Sequence, residues 1–215
     1  MLYSKDKGWL FIHVPKNAGT SVQANYSQMH YDHRGLSEED RVKAREEYHL
    51  DRFFIGEQTE HNKWPFFKKI AQEKGLSPVG LLRNPWARCL SIYLFSLNQA
   101  HKELGKEWAN CDHPILTRQG FKGSWMPGGY FVDGHASHIE YNASTQRAWA
   151  YEDDQFSWLN GEGKWFRVED QMQEFCLELG LPMPGRINTT KHLHYREYYD
   201  DELAERISDM FARDI

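Results

Sequence analysis

The segment Pro15-Lys16-Asn17-Ala18-Gly19-Thr20-Ser21 places an ammonium and two hydroxyls around a glycine. If a helix starts there, its first backbone N–H groups are unpaired and carry the positive end of the helix dipole. Together these groups make an anion site, most naturally one for phosphate. In this reading Lys16 sits in the turn, Gly19 lets the backbone bend, and Thr20 and Ser21 cap the helix. A second group lies in Leu82-Arg83-Asn84-Pro85-Trp86-Ala87-Arg88-Cys89-Leu90-Ser91-Ile92-Tyr93. Arg83 offers a planar fork to a phosphate. Ser91 follows eight positions later, about two helical turns away, so a tertiary fold must bring the two together. Arg88 reads equally well as a second phosphate ligand or as an internal ion-pair partner, and Tyr93 reads as core. Lys16 precedes Gly19, the reverse of the GxxxxGK[ST] order, which counts against an ordinary ATPase or kinase.

These groups need elements to hold them. Trp9 to Val14 is an apolar run that reads as a buried strand entering the turn, with Ser21 to His30 as the helix after it. Arg52-Phe53-Phe54-Ile55-Gly56 reads as a second short strand, and Trp64 to Lys74 as an amphipathic helix. Pro78 to Leu82 reads as a third strand ending at Arg83, and Pro85 suits the first turn of a helix running to about His101. Asn110 to Gly134, rich in Gly, Pro, Asp and aromatics, reads as an irregular region whose Trp125, Tyr130 and Phe131 are expensive to leave exposed; Trp125 and Tyr130 either stack on a bound sugar or form loop core. Ser144 to Tyr151 reads as helical. Gly163 to Glu169 reads as a late strand and Gln171 to Leu179 as a helix stopped by Gly180 and Pro182. Asp200 to Ala212 reads as an amphipathic helix with Leu203, Ile207, Met210 and Phe211 on one face. Alternating strands and helices imply a three-layer α/β/α architecture with a mostly parallel sheet. Ligands of such sheets bind beyond the strands' carboxyl ends, where both Lys16 and Arg83 fall.

The chain's 215 residues suit one α/β domain spanning 1–215. Hydrophobic residues make up 40% and charged residues 27%, which fits a folded, soluble protein. The net charge of −5 argues against nucleic acid as a partner. No stretch approaches the about 20 apolar residues of a membrane span. The N-terminus has no hydrophobic signal core, so a cytoplasmic location is expected. Cys89, Cys111 and Cys176 are scattered and odd in number, which argues against a disulfide framework; Cys89 and Cys176 read as core.

The two motifs, in this order and each after a buried strand, resemble the 5′-phosphosulfate loop and the 3′-phosphate motif of the carbohydrate-type sulfotransferase family 2, which has a P-loop NTPase-like fold. The late segment Trp165-Phe166-Arg167-Val168-Glu169-Asp170 and the stretch from Ile187 to the C-terminal helix resemble the corresponding parts of that family. The resemblance implies 3′-phosphoadenosine 5′-phosphosulfate (PAPS) as donor, a hydroxyl on a carbohydrate or other small metabolite as acceptor, and no metal. It assigns Lys16 to the leaving group, makes the loop Lys16, Asn17, Ala18, Gly19, Thr20 and Ser21 donor-binding, with the Ala18 to Ser21 amides and the Thr20 and Ser21 hydroxyls on the 5′-phosphate, and gives Arg83 and Ser91 to the 3′-phosphate. Asn17-Ala18-Gly19 replaces the family's commoner Thr-Gly-Gly, so Ala18 needs a backbone conformation open to an L-residue.

The resemblance also implies a general base shortly after the second strand. Position favours Glu57 and chemistry favours His61, since an imidazole has an ordinary pKa of about 6.5 and a buried carboxylate can be raised. Asp133, His135 and His138 have a metal-like spacing without supporting cysteine pairs. His192 and His194, beside Lys191 and Arg196, read as a solvated basic loop or a contact to an anion. The competing readings are a P-loop nucleotide kinase and a non-catalytic nucleotide-binding relative.

Overall fold

The computed structural model describes residues 2–22, 51–52, 63–103, 114–125, 154–185 and 192–215. The chain divides into two compact units, Met1–Arg83 with Gln155–Ile187, and Asn84–Asp154 with Asn188–Ile215.

The first unit is built on a five-stranded sheet. Its strands are β1 (Leu2–Ser4), β2 (Trp9–Ile12), β3 (Asp51–Arg52), β4 (Ser77–Leu82) and β5 (Lys164–Arg167), in the order β3-β1-β2-β4-β5. The pairings β2–β4 and β4–β5 are parallel, with Phe11 opposite Val79 and Leu81 opposite Phe166. Strand β1 is antiparallel to both of its neighbours. The mostly parallel sheet expected from the sequence is therefore a mixed one, with β1 running against the other four strands. Leu2 and Tyr3 are too short a run to stand out in the sequence, and they pair because the turn over 5–8 folds them back on β2.

Strand alternation sorts the core. Trp9, Phe11, Val79, Leu81 and Phe166 share a buried cluster with Phe175, Cys176 and Leu179. The last three belong to the helix Met172–Leu179, which ends at Gly180 with φ 69°, a left-handed cap that glycine adopts without penalty. Phe175 packs edge-on against Phe11 and Phe166 at 5.6 and 5.7 Å. On the opposite face, Gly80 leaves space that Leu159 and Trp165 fill. Leu159 lies in the short helix Phe156–Leu159, which neighbours the helix Trp64–Glu73 with its buried Trp64, Phe67 and Ala71. Both faces of the sheet thus meet helical side chains.

The second unit contains helices over Pro85–Glu103, Pro114–Trp125 and Asp201–Met210 and a 3-10 turn over Tyr195–Tyr198. Asn84 caps the first of these, its Oδ1 accepting from Ala87 N at 3.1 Å. Asp200 caps the last, accepting from Leu203 N at 3.0 Å. Cys89, Leu90, Tyr93, Phe121, Trp125, Tyr198, Leu203, Ile207 and Phe211 form one buried cluster. Residues 114–125 are helical, although the sequence suggested an irregular region. Gly120 and Gly123 weaken the helical signal, but burial of Phe121 and Trp125 one turn apart outweighs propensity. Trp125 packs on Phe211 at 6.3 Å, so it is core rather than a platform for an acceptor. Among the described residues, no helix is long and apolar enough to cross a membrane.

Candidate functional site

Strand β2 ends at Ile12 and the chain enters a tight loop before turning helical over 19–22. Val14 N–H donates to Ile12 O at 3.1 Å and Asn17 N–H to Val14 O at 3.3 Å. Two non-glycine residues carry the bend: Lys16 has φ 68° and Ala18 has φ 61°. Each sits in the left-handed region, where an L-residue costs about 1–3 kcal/mol. The sequence reading is corrected at two positions here. Ala18 occupies a conformation that favours glycine, and Gly19 does not supply the positive φ. Gly19 is required for space, because a Cβ there would fall 2.6 Å from His13 Cγ and closer still to Cδ2 and Nε2 of the same ring. His13 is buried beside Phe11, their rings stacked at 6.2 Å.

Asn17 is the anchor of the loop. Its side chain is 1% exposed, and its Nδ2 donates to Leu81 O at 2.6 Å and to Gln155 Oε1 at 2.5 Å. Sequence analysis placed Asn17 among the donor-binding residues; its amide is instead directed inward, to the end of β4. Gln155 was not singled out at all. Its Oε1 also accepts from Arg83 N at 2.8 Å, and its Nε2 donates to Arg83 O at 2.8 Å. A side-chain amide therefore pairs with Arg83 as a neighbouring strand would. A lone glutamine before a short helix carries no local pattern that reveals this.

Arg83 returns to the loop through its guanidinium, Nη1 donating to Lys16 O at 3.1 Å. Lys16 and Arg83, 67 positions apart in the chain, thus meet beyond the ends of the adjacent parallel strands β2 and β4. Burial, and secondarily the charge of Arg83, lowers the Lys16 ammonium from 10.5 to about 8. Burial also lowers Arg83, opposed by the carboxylate of Glu169. Two desolvated cations side by side are penalised, and an anion against them removes the penalty. Thr20 is exposed and Ser21 half-buried at the start of the helical turn; Ser21 N–H donates to Ala18 O at 2.9 Å and Val22 N–H to the same oxygen at 3.2 Å. The Ser21 amide is thereby used within the loop rather than offered to a ligand, which leaves the amides of 18–20 as the donors to test.

Ser91 lies half-buried in the helix Pro85–Glu103 of the second unit, whereas Arg83 belongs to the first. In that same helix Arg88 is 1% exposed, with its guanidinium 5.8 Å from the Phe211 ring centroid. This placement favours the internal role over phosphate binding. Tyr93 is buried edge-on to Phe121 at 5.5 Å, as core. Cys89 and Cys176 are buried. Burial raises the Cys89 thiol to about 12.

Glu57 and His61 lie outside the described residues, as do Asp133, His135 and His138. Among the described residues no three His, Cys, Asp or Glu side chains cluster as a metal site would. His192 and His194 are exposed; Nδ1 of His192 meets Leu193 O at 2.6 Å, and His194 accepts from Arg196 N at 3.4 Å as the cap of the 3-10 turn. Both belong to a solvated loop.

No protein-family model and no curated protein matches this chain. Among solved structures it is similar to a sulfotransferase from Alicyclobacillus acidocaldarius, at 14% identity and a TM-score of 0.34, over 97% of this chain and 92% of the other.

Proposed function

We propose that this protein is a sulfotransferase that uses PAPS, and that the Lys16–Arg83 pair is the centre of its donor site. One observation carries the reading: the loop holds an ammonium and a guanidinium together, both partly desolvated, beyond the carboxyl ends of two parallel strands. Such a pair is suited to a ligand with several negative charges. The motif order around Lys16 and Arg83 supports an adenosine bisphosphate over ATP. The three-layer α/β/α arrangement of the sulfotransferase fold is part of the same proposal.

The reaction would run as an in-line transfer. An acceptor hydroxyl on a carbohydrate or other small metabolite attacks sulfur, and the S–O bond to the 5′-phosphate breaks. Adenosine 3′,5′-bisphosphate leaves, while the acceptor's proton passes to Glu57 or His61. Lys16, with its lowered pKa, is mostly protonated at pH 7 and stabilises the charge that develops on the departing phosphate oxygen. Arg83 holds the 3′-phosphate, and lysine and arginine supply the charge that a metal ion would otherwise provide.

Calorimetric titration with adenosine 3′,5′-bisphosphate, AMP and ATP in magnesium-free buffer tests the donor site. Preference for the bisphosphate supports the reading, and transfer of labelled sulfate from PAPS to a panel of hydroxyl acceptors would then establish catalysis. Magnesium-dependent preference for ATP would favour a kinase. Bisphosphate binding without turnover on any acceptor would favour a non-catalytic binding protein.

A further inference from the structure

We infer that Gln155 is a positioning residue of the donor site: its carboxamide clasps Arg83 and the Lys16–Ala18 loop into the geometry that recognises a nucleotide 3′-phosphate. The inference rests on the donor-site reading above and adds to it a residue that the motifs do not contain.

The clasp uses each hydrogen-bonding atom of the side chain. Oε1 accepts from Arg83 N at 2.8 Å and from Asn17 Nδ2 at 2.5 Å, while Nε2 donates to Arg83 O at 2.8 Å. Asn17 carries the connection onward to Leu81 O at 2.6 Å. Gln155 is 1% exposed, so these bonds form in a medium where an unmatched polar group is expensive and geometry is strictly selected. Strand β5 pairs with β4 through Leu82–Arg167, and Val168 N donates to Leu82 O. At Arg83 the side chain of Gln155 supplies both backbone partners instead.

This arrangement has a specific consequence for the loop. Lys16 and Ala18 both hold left-handed conformations that L-residues disfavour, and Asn17 lies between them. Such strain persists only where the surroundings over-determine it. Asn17 is the residue they grip, and Gln155 supplies one of its two acceptors. The same Gln155 fixes the backbone from which the Arg83 guanidinium reaches Lys16 O. One buried amide therefore holds both the Arg83 backbone and the loop that carries Lys16.

The test compares wild type with Gln155→Met, which keeps the shape and removes the bonds to Arg83 and Asn17, and Gln155→Glu, which keeps the acceptor and removes the donor to Arg83 O. Each protein is titrated with adenosine 3′,5′-bisphosphate and with AMP, and its melting temperature is recorded. The expected result is a folded protein in which the bisphosphate-to-AMP affinity ratio falls at least tenfold, more for Gln155→Met than for Gln155→Glu. A ratio equal to that of wild type in either folded variant would overturn the proposal. Loss of folding in both would also overturn it, because the amide would then serve the fold at large. If wild type itself shows no preference for the bisphosphate, the donor-site reading fails, a result distinct from either outcome for Gln155.

Discussion

The backbone of Gly19 approaches the buried imidazole of His13 so closely that no β-carbon fits between them. This contact joins the end of the apolar run to the first residue of the helical turn, and it defines how tightly the loop closes. Gly19→Ala is expected to force the ring or the helix start to move, at about 1–3 kcal/mol, the usual range for overpacking a core. In a protein of this size each kcal/mol corresponds to about 2–4 °C in Tm. A thermal melt and a bisphosphate titration check it; an unchanged Tm with unchanged affinity would mean that the close approach is absent in solution.

Ala18 gives the opposite expectation. At φ 61° it bears a strain that glycine does not. Glycine also loses more freedom on folding, so the net gain for Ala18→Gly is about 0.5–1 kcal/mol. Its Tm should rise slightly. A clear fall would argue against the left-handed conformation at this position.

Lys16 should make donor binding pH-dependent. Its charge is lost as pH rises through about 8 in the ligand-free protein. A polyanion favours the charged form, so bisphosphate affinity should fall between pH 7.5 and 9.5, by about tenfold per unit at most. The Lys16→Met variant should lose this dependence. The stability effect has the opposite sign: between about pH 8 and 10.5 the unfolded chain binds more protons at Lys16 than the folded one, so this group's contribution to stability rises with pH. Wild type should accordingly gain stability relative to Lys16→Met across that window in anion-free buffer, which parallel denaturant titrations would measure.

Lys16→Ala and Arg83→Ala should each reduce sulfate transfer by about 10²–10³-fold, the range for removing one preorganised charge-stabilising donor. His192→Ala should leave it unchanged, since that imidazole is exposed and its ring nitrogen meets the adjacent backbone oxygen of Leu193. Steady-state rates with a labelled donor decide this. Lys16→Ala activity near wild type would remove the leaving-group role.

The candidate base can be resolved by a split in kinetic constants. Of Glu57→Gln and His61→Ala, one should abolish turnover while bisphosphate affinity stays within about threefold of wild type, because a base acts on the acceptor's proton and not on donor binding. Full activity in both variants would exclude both residues.

Local pattern was sufficient for the elements that bury a continuous run or carry clear end signals. Ser77–Leu82, Pro85–Glu103, Met172–Leu179 and Asp201–Met210 lie close to where apolar spacing, Pro85, Gly180 and Asp200 place them. The same patterning singled out Lys16 and Arg83 as candidates, because a cation within a few residues of a buried strand's end is a signal contained in adjacent positions. Other features depend on partners distant in the chain, and no local pattern encodes them. The antiparallel β1, the helix over Pro114–Trp125 and the burial of Arg88 under Phe211 exist because of what packs on them. So does the role of Gly19, which a turn-based reading took for flexibility and which is set by a ring six residues earlier. Gln155 is the extreme case: its hydrogen bonds to Arg83 and Asn17 reach residues 72 and 138 positions away, and only the folded chain brings those backbone and amide groups to it.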